Sequence, residues 1–231
     1  NAYGVEAGKK GAFAKLLRDV GAVEGLERIR FMSPHPRDFT DDVIEAMVET
    51  PNIMPHLHMP LQSGSDSILQ AMRRSYRSEK YLGILDRVRT ALPHAMITTD
   101  IIVGFPGETE EDFQELLDFI EEFRFERAGV FSYSKEEGTR ANKMDGHIHH
   151  ATKKSRWSRS MKALQRIASE VNQEQVGKSV KVLIEQPGVG RTEWDAPEID
   201  GSVHVPEDIP VGSFATVTIK DWRGYDLVAA R

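Results

Sequence analysis

The sequence predicts an α/β protein in which part of a parallel (β/α) barrel precedes a small all-β barrel. From Gly8 to about residue 150, short apolar segments of strand length alternate with helical patterns of roughly 10–15 residues, which is typical of βαβ units in a parallel sheet. After Gly177, short alternating segments are separated by Gly and Pro turns, which is typical of a small antiparallel barrel. We therefore divide the chain into residues 1–145, a linker with a long helix at 146–176, and a β-barrel at 177–231.

The first part contains four predicted strands, too few to close an eight-stranded barrel. They fall at residues 28–32, 57–61, 96–103 and 128–133. Apolar residues at helical spacing predict the intervening helices, among them one at 78–91, with Thr40 and Thr109 as N-caps. A largely polar helix is predicted from Thr152 to about Gln175. Four strands follow in the last part, at 180–184, 202–205, 214–219 and 226–229.

The composition is that of a globular protein. The chain has 231 residues, of which 39% are hydrophobic and 29% charged, and a net charge of −6. This charge argues against a nucleic-acid binder whose whole surface is basic. There is no cysteine, which excludes disulfides and thiolate metal sites and favours a cytoplasmic location. No apolar run approaches the roughly 18–20 residues that a membrane span needs.

The junction at residues 98–109 is the most informative local feature. A strand ends at a turn in which Gly104 and Gly107 flank Phe105 and Pro106, and Thr109 then opens a helix. Ligands of α/β proteins bind at the carboxyl ends of parallel strands. Glycines allow close approach of a flat ligand, and Phe105 could offer its face to an adenine. The acids after Thr109 are more simply explained by a capping box at the helix start.

A second turn, at residues 62–66, also follows a strand and is expected on the same edge. Gln62 and Ser63 are candidate ligand contacts there, whereas the simpler interpretation is a turn in which Ser65 or Asp66 caps the next helix. Asp100 lies in an otherwise apolar strand, where a carboxylate is costly unless it faces a polar cavity. His58 is a candidate pocket-lining residue.

The other histidines and the basic helix are less specific. His56 and His58 alternate on a strand and three histidines cluster in the linker, but a linker does not fix metal-ligand geometry, and we expect no metal site. The basic side chains of the long helix form either a solvated face or a surface that tracks a phosphate backbone. They are Lys153, Lys154, Arg156, Arg159, Lys162 and Arg166.

Taken together, three segments resemble the radical-SAM methylthiotransferases. They are Phe31-Met32-Ser33-Pro34-His35-Pro36, His58-Met59-Pro60-Leu61-Gln62-Ser63-Gly64-Ser65-Asp66 and Ile102-Val103-Gly104-Phe105-Pro106-Gly107-Glu108-Thr109-Glu110-Glu111-Asp112-Phe113. The resemblance continues at Tyr133-Ser134 and Glu137-Gly138-Thr139, and the predicted β-barrel is similar to the family's TRAM domain, an OB-like fold. The resemblance covers essentially the whole chain and implies a truncated radical-SAM barrel.

The resemblance implies an enzyme that uses S-adenosylmethionine and [4Fe-4S] clusters to insert a methylthio group at an unactivated C–H bond. It implies S-adenosylmethionine contacts at Gln62, Ser63, Asp100, Gly104, Phe105, Pro106, Gly107 and Ser134. The substrate contacts expected with it are His58, Arg156, Arg159, Trp194 and Asp195. The family's cluster cysteines lie upstream of the matched segments and are absent here, so we expect this chain alone to be inactive. We also expect the edge at 29–32 to be exposed and to favour self-association.

Two branches of the family compete for the substrate assignment. The first 110 or so residues resemble the branch that modifies a tRNA adenosine, and the region after Phe113 resembles the branch that modifies an aspartate of a small-subunit ribosomal protein. Residues 177–231 contain six lysines and arginines against nine acids, which suits a basic protein better than RNA. The sequence therefore favours the ribosomal protein, with tRNA as the alternative. A non-catalytic fragment that binds RNA or protein is the third possibility.

Overall fold

The computed structural model describes residues 3–4 and 8–230. Its first part contains helices α1 (Ala12–Gly21), α2 (Asp41–Glu49), α3 (Asp66–Ala71), α4 (Ser78–Ala91) and α5 (Glu110–Phe123), and strands β1 (His56–His58), β2 (Met96–Val103) and β3 (Arg127–Ser132). Helix α6 (His150–Gln173) leads to strands β4 (Ser179–Gln186), β5 (Val189–Arg191), β6 (Val203–His204), β7 (Phe214–Arg223) and β8 (Asp226–Ala230).

Strands β1, β2 and β3 form a parallel sheet in that order, as the βαβ pattern predicts. The strand predicted at 28–32 is wrong as a regular element: only isolated parallel bridges occur, Ile29 with Ile53 and Met32 with His58. Ser33, with φ +51°, turns the chain directly after the second bridge, so the pairing does not extend into a ladder. The side chains of Arg28 and Arg30 donate to carbonyls of the last barrel.

The central strand β2 separates two environments. Ile97, Ile101 and Val103 are fully buried in the main core against the helices, because alternate side chains of a strand point to opposite faces. Thr98 and Asp100 point to the other side, which we call the inner face of the sheet and which also carries Phe131 of β3. Thr98 and Asp100 thus share one face, whereas Thr99 is buried on the other, where its hydroxyl bonds to the backbone of Leu61 and Met59.

The last five strands close into a barrel with the order β4-β5-β6-β8-β7. The prediction of four strands missed β5, which is three residues long and centred on Gly190. A Cβ at Gly190 would lie 2.4 Å from the Val182 side chain, so the glycine that weakens the strand signal is needed for packing. Val182, Val203 and Ile219 are fully or almost fully buried at the barrel centre.

The barrel packs against the amino ends of the parallel strands. His56, at the start of β1, lies 3.4 Å from Asp200, and Arg127, at the start of β3, donates to the Asn172 side chain and the Tyr225 carbonyl. The turn at 104–107 lies at the opposite end of the sheet, so the two ends have separate roles.

Candidate cofactor and substrate site

The turn at residues 104–107, called the rim turn below, is held in place by α6 and the linker. The Gly104 N–H donates to Glu108 Oε1 (2.9 Å), and the same oxygen accepts from Arg156 Nη1 at 2.6 Å. The Gly107 N–H donates to the Gly146 carbonyl. Both glycines have positive φ, +75° and +86°, a conformation that favours glycine.

The ion pair of Glu108 and Arg156 is almost completely buried. Burial raises the pKa of Glu108, while the Gly104 N–H and the Arg156 guanidinium act in the opposite direction. Sequence reasoning missed Glu108, because its partner lies 48 residues away and no local spacing signals the pair. The arrangement makes Arg156 a structural residue.

Asp112 joins the two turns of this edge. It completes the predicted capping box of α5, accepting from the Thr109 N–H while its own N–H donates to Thr109 Oγ1. Its other oxygen accepts from the hydroxyls of Ser65 and Ser67, both at 2.6 Å. Although burial acts against them, these hydrogen bonds hold the pKa of Asp112 below its ordinary value. The turns predicted to share one edge are therefore linked by a single carboxylate.

The helix caps predicted for the second turn are made differently. Ser65 is the N-cap residue of α3, but its hydroxyl donates to Asp112 rather than capping α3. Asp66 Oδ1 accepts from the N–H of Ser78, at the start of α4. Ser63 is buried and its hydroxyl accepts the Ser65 N–H.

A small pocket lies beside the rim turn. It has a volume of about 230 Å³ and is lined by Phe105, Tyr133, Ile102 and Met144, among others. The rings of Phe105 and Tyr133 meet edge to face, with centroids 5.4 Å apart, and the buried Tyr133 hydroxyl has no hydrogen-bond partner among the described residues. Arg73, Arg74 and Arg140 also line the pocket. The two rings suit a flat heterocycle, and the volume is below the roughly 300–1,000 Å³ of a complete ligand site.

The remaining residues predicted at this edge have different surroundings. A Cβ at Gly104 would lie 2.3 Å from Lys153 Cγ, so this glycine makes room for α6. Gly107 has open space at the Cβ position. Pro106 is buried and Ser134 is exposed.

A larger cavity of about 550 Å³ lies on the inner face of the sheet. His58 Nε2 lies 3.3 Å from Asp100 Oδ2, and His58 Nδ1 lies 2.9 Å from Thr98 Oγ1. Gln62 has φ +73° and exchanges backbone hydrogen bonds with β2, giving its N–H to the Asp100 carbonyl. The structure therefore brings His58, Asp100 and the Gln62 backbone together, with Asp200 and Tyr225 also lining the cavity.

The other residues expected to contact substrate are not brought to this cavity. Arg159 pairs with Glu110. Trp194 is half-buried in the last barrel. Asp195 is buried and accepts from the N–H and hydroxyl of Thr192, and burial raises its pKa. Arg159 is engaged in its ion pair, whereas Trp194 and Asp195 line a separate cavity of about 410 Å³ near the amino ends of the strands.

The basic face expected on α6 is largely neutralised. Arg156 and Arg159 pair with acids of the region around the rim turn, and Arg166 pairs with Glu121 and Glu170. Glu108, Glu110 and Glu121 belong to α5 or to the residues just before it, so the residue spacing along α6 does not reveal them. Glu170 lies on α6 itself. Lys154 and Lys162 remain exposed on the helix.

Within residues 3–4 and 8–230, no group of three or more His, Cys, Asp or Glu side chains has an arrangement that could hold a metal ion. The described helices include none long and apolar enough to cross a membrane. The whole sequence lacks cysteine, so the residues present do not fit a cysteine-bound iron–sulfur cluster.

Comparison with family models defines the class of protein. Residues 6–120 match the Radical SAM superfamily and residues 176–231 match the TRAM domain. The fold agrees: coproporphyrinogen III oxidase from Escherichia coli, a radical-SAM enzyme, superimposes with a TM-score of 0.56 at 14% identity over 80% of this chain and 50% of that one. The chain thus combines a partial radical-SAM domain with a TRAM barrel.

Curated relatives narrow the class further. Proteins named tRNA-2-methylthio-N(6)-dimethylallyladenosine synthase match from Thermobifida fusca (60% identity, 83% of this chain, 38% of the relative), Clavibacter michiganensis subsp. michiganensis (57%, 92% and 41%) and Corynebacterium urealyticum (52%, 99% and 45%). The chain spans less than half the length of these relatives. It belongs to the radical-SAM methylthiotransferase family.

Proposed function

We propose that this chain is the substrate-facing and TRAM part of a tRNA methylthiotransferase that modifies an adenosine. The observation that carries the proposal is the identity of 52–60% to the named tRNA synthases over 83–99% of this chain. These relatives support the tRNA alternative over the ribosomal protein that the acidic charge of residues 177–231 favours. Net charge is a weak guide here, because RNA binding depends on a local cationic surface.

The edge of the sheet supplies residues that fit part of S-adenosylmethionine. The pocket of Phe105 and Tyr133 would hold the flat adenine against the two rings. Bound there, S-adenosylmethionine would supply the radical and the methyl group. The cluster that cleaves it needs ligands that this chain lacks.

The inner-face cavity would hold the target base. His58 and Asp100 face it as a close pair, with Nε2 3.3 Å from Oδ2. Because Thr98 engages Nδ1 and Asp100 engages Nε2, the imidazole is held in one orientation, and the pair would present a fixed polar surface to the base. In this proposal the cofactor binds beside the rim turn, and the target base binds in the inner-face cavity.

The test restores the missing ligands. Residues 1–231 would be fused behind the part of the Thermobifida fusca relative that precedes its matched region, where the family carries its cluster cysteines. We expect the reconstituted fusion to convert N6-dimethylallyladenosine in tRNA into its 2-methylthio derivative, read by mass spectrometry of the digested nucleosides. The unfused chain is expected to form no product.

Two further measurements test the proposed site and the proposed substrate. Asp100→Asn is expected to lower turnover at least about tenfold, since it weakens orientation of His58, whereas Val211→Ala on the exposed barrel surface should leave turnover unchanged. A cluster-loaded fusion that modifies a ribosomal-protein aspartate, or neither substrate, contradicts the proposal.

A further inference from the structure

The end of β3 and the first turns of α6 enclose a groove of about 590 Å³, called the β3–α6 groove below. Two large aromatic side chains line it and face solvent: Phe131 is 56% exposed and Trp157 is 41% exposed. Exposed apolar side chains that share one groove mark a binding site more often than single exposed residues do. The groove therefore differs from the ordinary surface of the protein.

The charged side chains that line the groove are all basic or ionisable to a cation. They are Lys135, Lys153, Lys154 and His150, and no carboxylate of the described residues lines it. Lys153 donates to the Tyr133 carbonyl, whereas Lys135 and Lys154 are exposed. The chain carries a net charge of −6, so this acid-free surface runs against the overall charge and favours an anionic ligand.

The indole of Trp157 is held in a fixed orientation. Its Nε1–H donates to the Val130 carbonyl at 2.9 Å, so the side chain is anchored to β3 while part of its ring stays exposed. An anchored ring loses little conformational freedom when a ligand stacks on it. Aromatic faces beside lysines are the usual platform for single-stranded nucleic acid, because every base has a face to stack and every nucleotide a phosphate.

The groove adjoins the inner-face cavity, since Trp157 of the groove and Met161 of the cavity lie four residues apart on α6. Phe131 lines both the groove and the cavity that holds His58 and Asp100. A strand lying in the groove could therefore place one nucleotide in the cavity and its neighbour on Phe131 or Trp157.

We propose that the β3–α6 groove binds the single-stranded nucleotides that flank the target adenosine, with bases stacked on Phe131 and Trp157 and phosphates near Lys135 and Lys154. This inference rests on the proposed tRNA substrate and adds the path of the RNA strand to it.

The test uses the complete 231-residue chain and a fluorescently labelled RNA hairpin with the sequence of a tRNA anticodon arm. Fluorescence anisotropy would give the affinity of the wild type and of Phe131→Ala, Trp157→Phe and the double variant Lys135→Ala/Lys154→Ala. We expect Phe131→Ala to weaken binding about tenfold, because one stacked base no longer has its platform. Trp157→Phe keeps a ring and should weaken binding less.

The lysine variant tests the phosphate interactions separately. For a single strand, the slope of log affinity against log salt should fall by about 0.7 for each phosphate that a lysine no longer neutralises. Lys162→Ala, on the same helix outside the groove, and Val211→Ala, an exposed apolar residue of the barrel, are matched controls expected to bind like the wild type. A urea-unfolding curve for each variant shows that the fold is retained.

The outcomes separate this inference from the proposed function. Hairpin binding that is insensitive to Phe131→Ala, or weakening confined to the lysine variant, overturns the stacked groove even if the fusion modifies tRNA. Stacking-dependent binding to the hairpin supports the groove even if the fusion forms no methylthio product. A folded wild-type chain with no affinity for the hairpin overturns it as well.

Discussion

Individual residues on the carboxyl edge of the sheet are constrained by close packing. Gly64, in the second turn, is buried against α5, and a Cβ there would lie 2.7 Å from the Leu116 Cα and 3.2 Å from the Glu115 carbonyl. Both neighbours are backbone atoms of a helix, which cannot move like the end of a flexible side chain. The turn can approach α5, and Ser65 can reach Asp112, only because residue 64 has no side chain.

We therefore expect Gly64→Ala to lower the free energy of unfolding by about 1–3 kcal/mol through overpacking. Gly83→Ala in α4 is the matched control, because its Cβ would meet only Arg87 Nη1, at 3.7 Å. A helical Gly→Ala change of this kind should be neutral or stabilise by up to about 1 kcal/mol. Urea unfolding measures both, and equal effects for the two would contradict the packing argument.

At the scale of elements, α6 does more than connect two domains. Its first turns hold the rim turn through Arg156, with the Lys153 stem packed beside Gly104. Its later turns reach the barrel through Asn172, which donates to the Gly224 carbonyl. The long polar helix therefore determines the position of the candidate cofactor pocket. Its buried ion pair is the contact on which this depends most.

Arg156→Met should lower the free energy of unfolding by about 3–5 kcal/mol, because it leaves the Glu108 carboxylate buried without its cation. In Glu108→Gln/Arg156→Met, the amide can still accept from the Gly104 N–H, so the double variant should be less destabilised than the sum of the single changes. A double-mutant cycle by urea unfolding measures this coupling.

The exposed pair of Arg159 and Glu110 is the control for that cycle. Both side chains are about half exposed, and pairs of this kind contribute at most about 1 kcal/mol. Additive effects of Glu108→Gln and Arg156→Met would show that the buried pair does not hold the rim turn.

At the scale of the whole molecule, the two domains are held together by polar contacts at the amino ends of the strands. Asp200 of the barrel accepts from His56 and from the Ala196 N–H, and Arg28 and Arg30 donate to barrel carbonyls. Although burial alone would raise the pKa of Asp200, these hydrogen bonds hold it below its ordinary value of 3.8.

A lowered pKa in the folded state means that ionised Asp200 stabilises the protein above pH 3.8, and that this stabilisation is lost as the pH falls through the folded-state value. The difference in unfolding free energy between the wild type and Asp200→Asn should therefore shrink on acidification. Urea unfolding across an acidic pH series checks this. Glu207→Gln, at an exposed site of the same barrel, should show no such trend, and a difference independent of pH would contradict the assignment.

Features that depend on neighbouring residues were predictable from the sequence. The capping box of Thr109 and Asp112 is confirmed, because its partners are three residues apart, and α4 begins and ends at the predicted residues. The parallel sheet followed from the alternation of strands and helices. The strand at 28–32 and the missing β5 were the errors: residues 28–32 are bonded to distant parts of the chain, whereas β5 is short and centred on a glycine that packing against Val182 requires.

The residues of the candidate site likewise include some that the sequence predicted and others that only tertiary packing explains. His58 and Asp100 were predicted to face a pocket, since a carboxylate in an apolar strand needs a polar surrounding, and the structure places them 3.3 Å apart. Arg156 was expected on an accessible basic face and is buried instead. Nothing local distinguishes it from Arg159, because burial is decided by how α6 packs against the rim turn.

Local spacing and composition were enough to define the class of fold, the order of its two domains, the rim turn with its helix cap, and the family resemblance. Which charges are buried and paired followed from tertiary packing alone. Packing buried Arg156 and Asp195, placed Asp200 against His56, and left Phe131 and Trp157 exposed beside exposed lysines. The buried contacts of Arg127 with Asn172 and of Arg156 with Glu108 span 45 and 48 residues, and no local pattern specifies those.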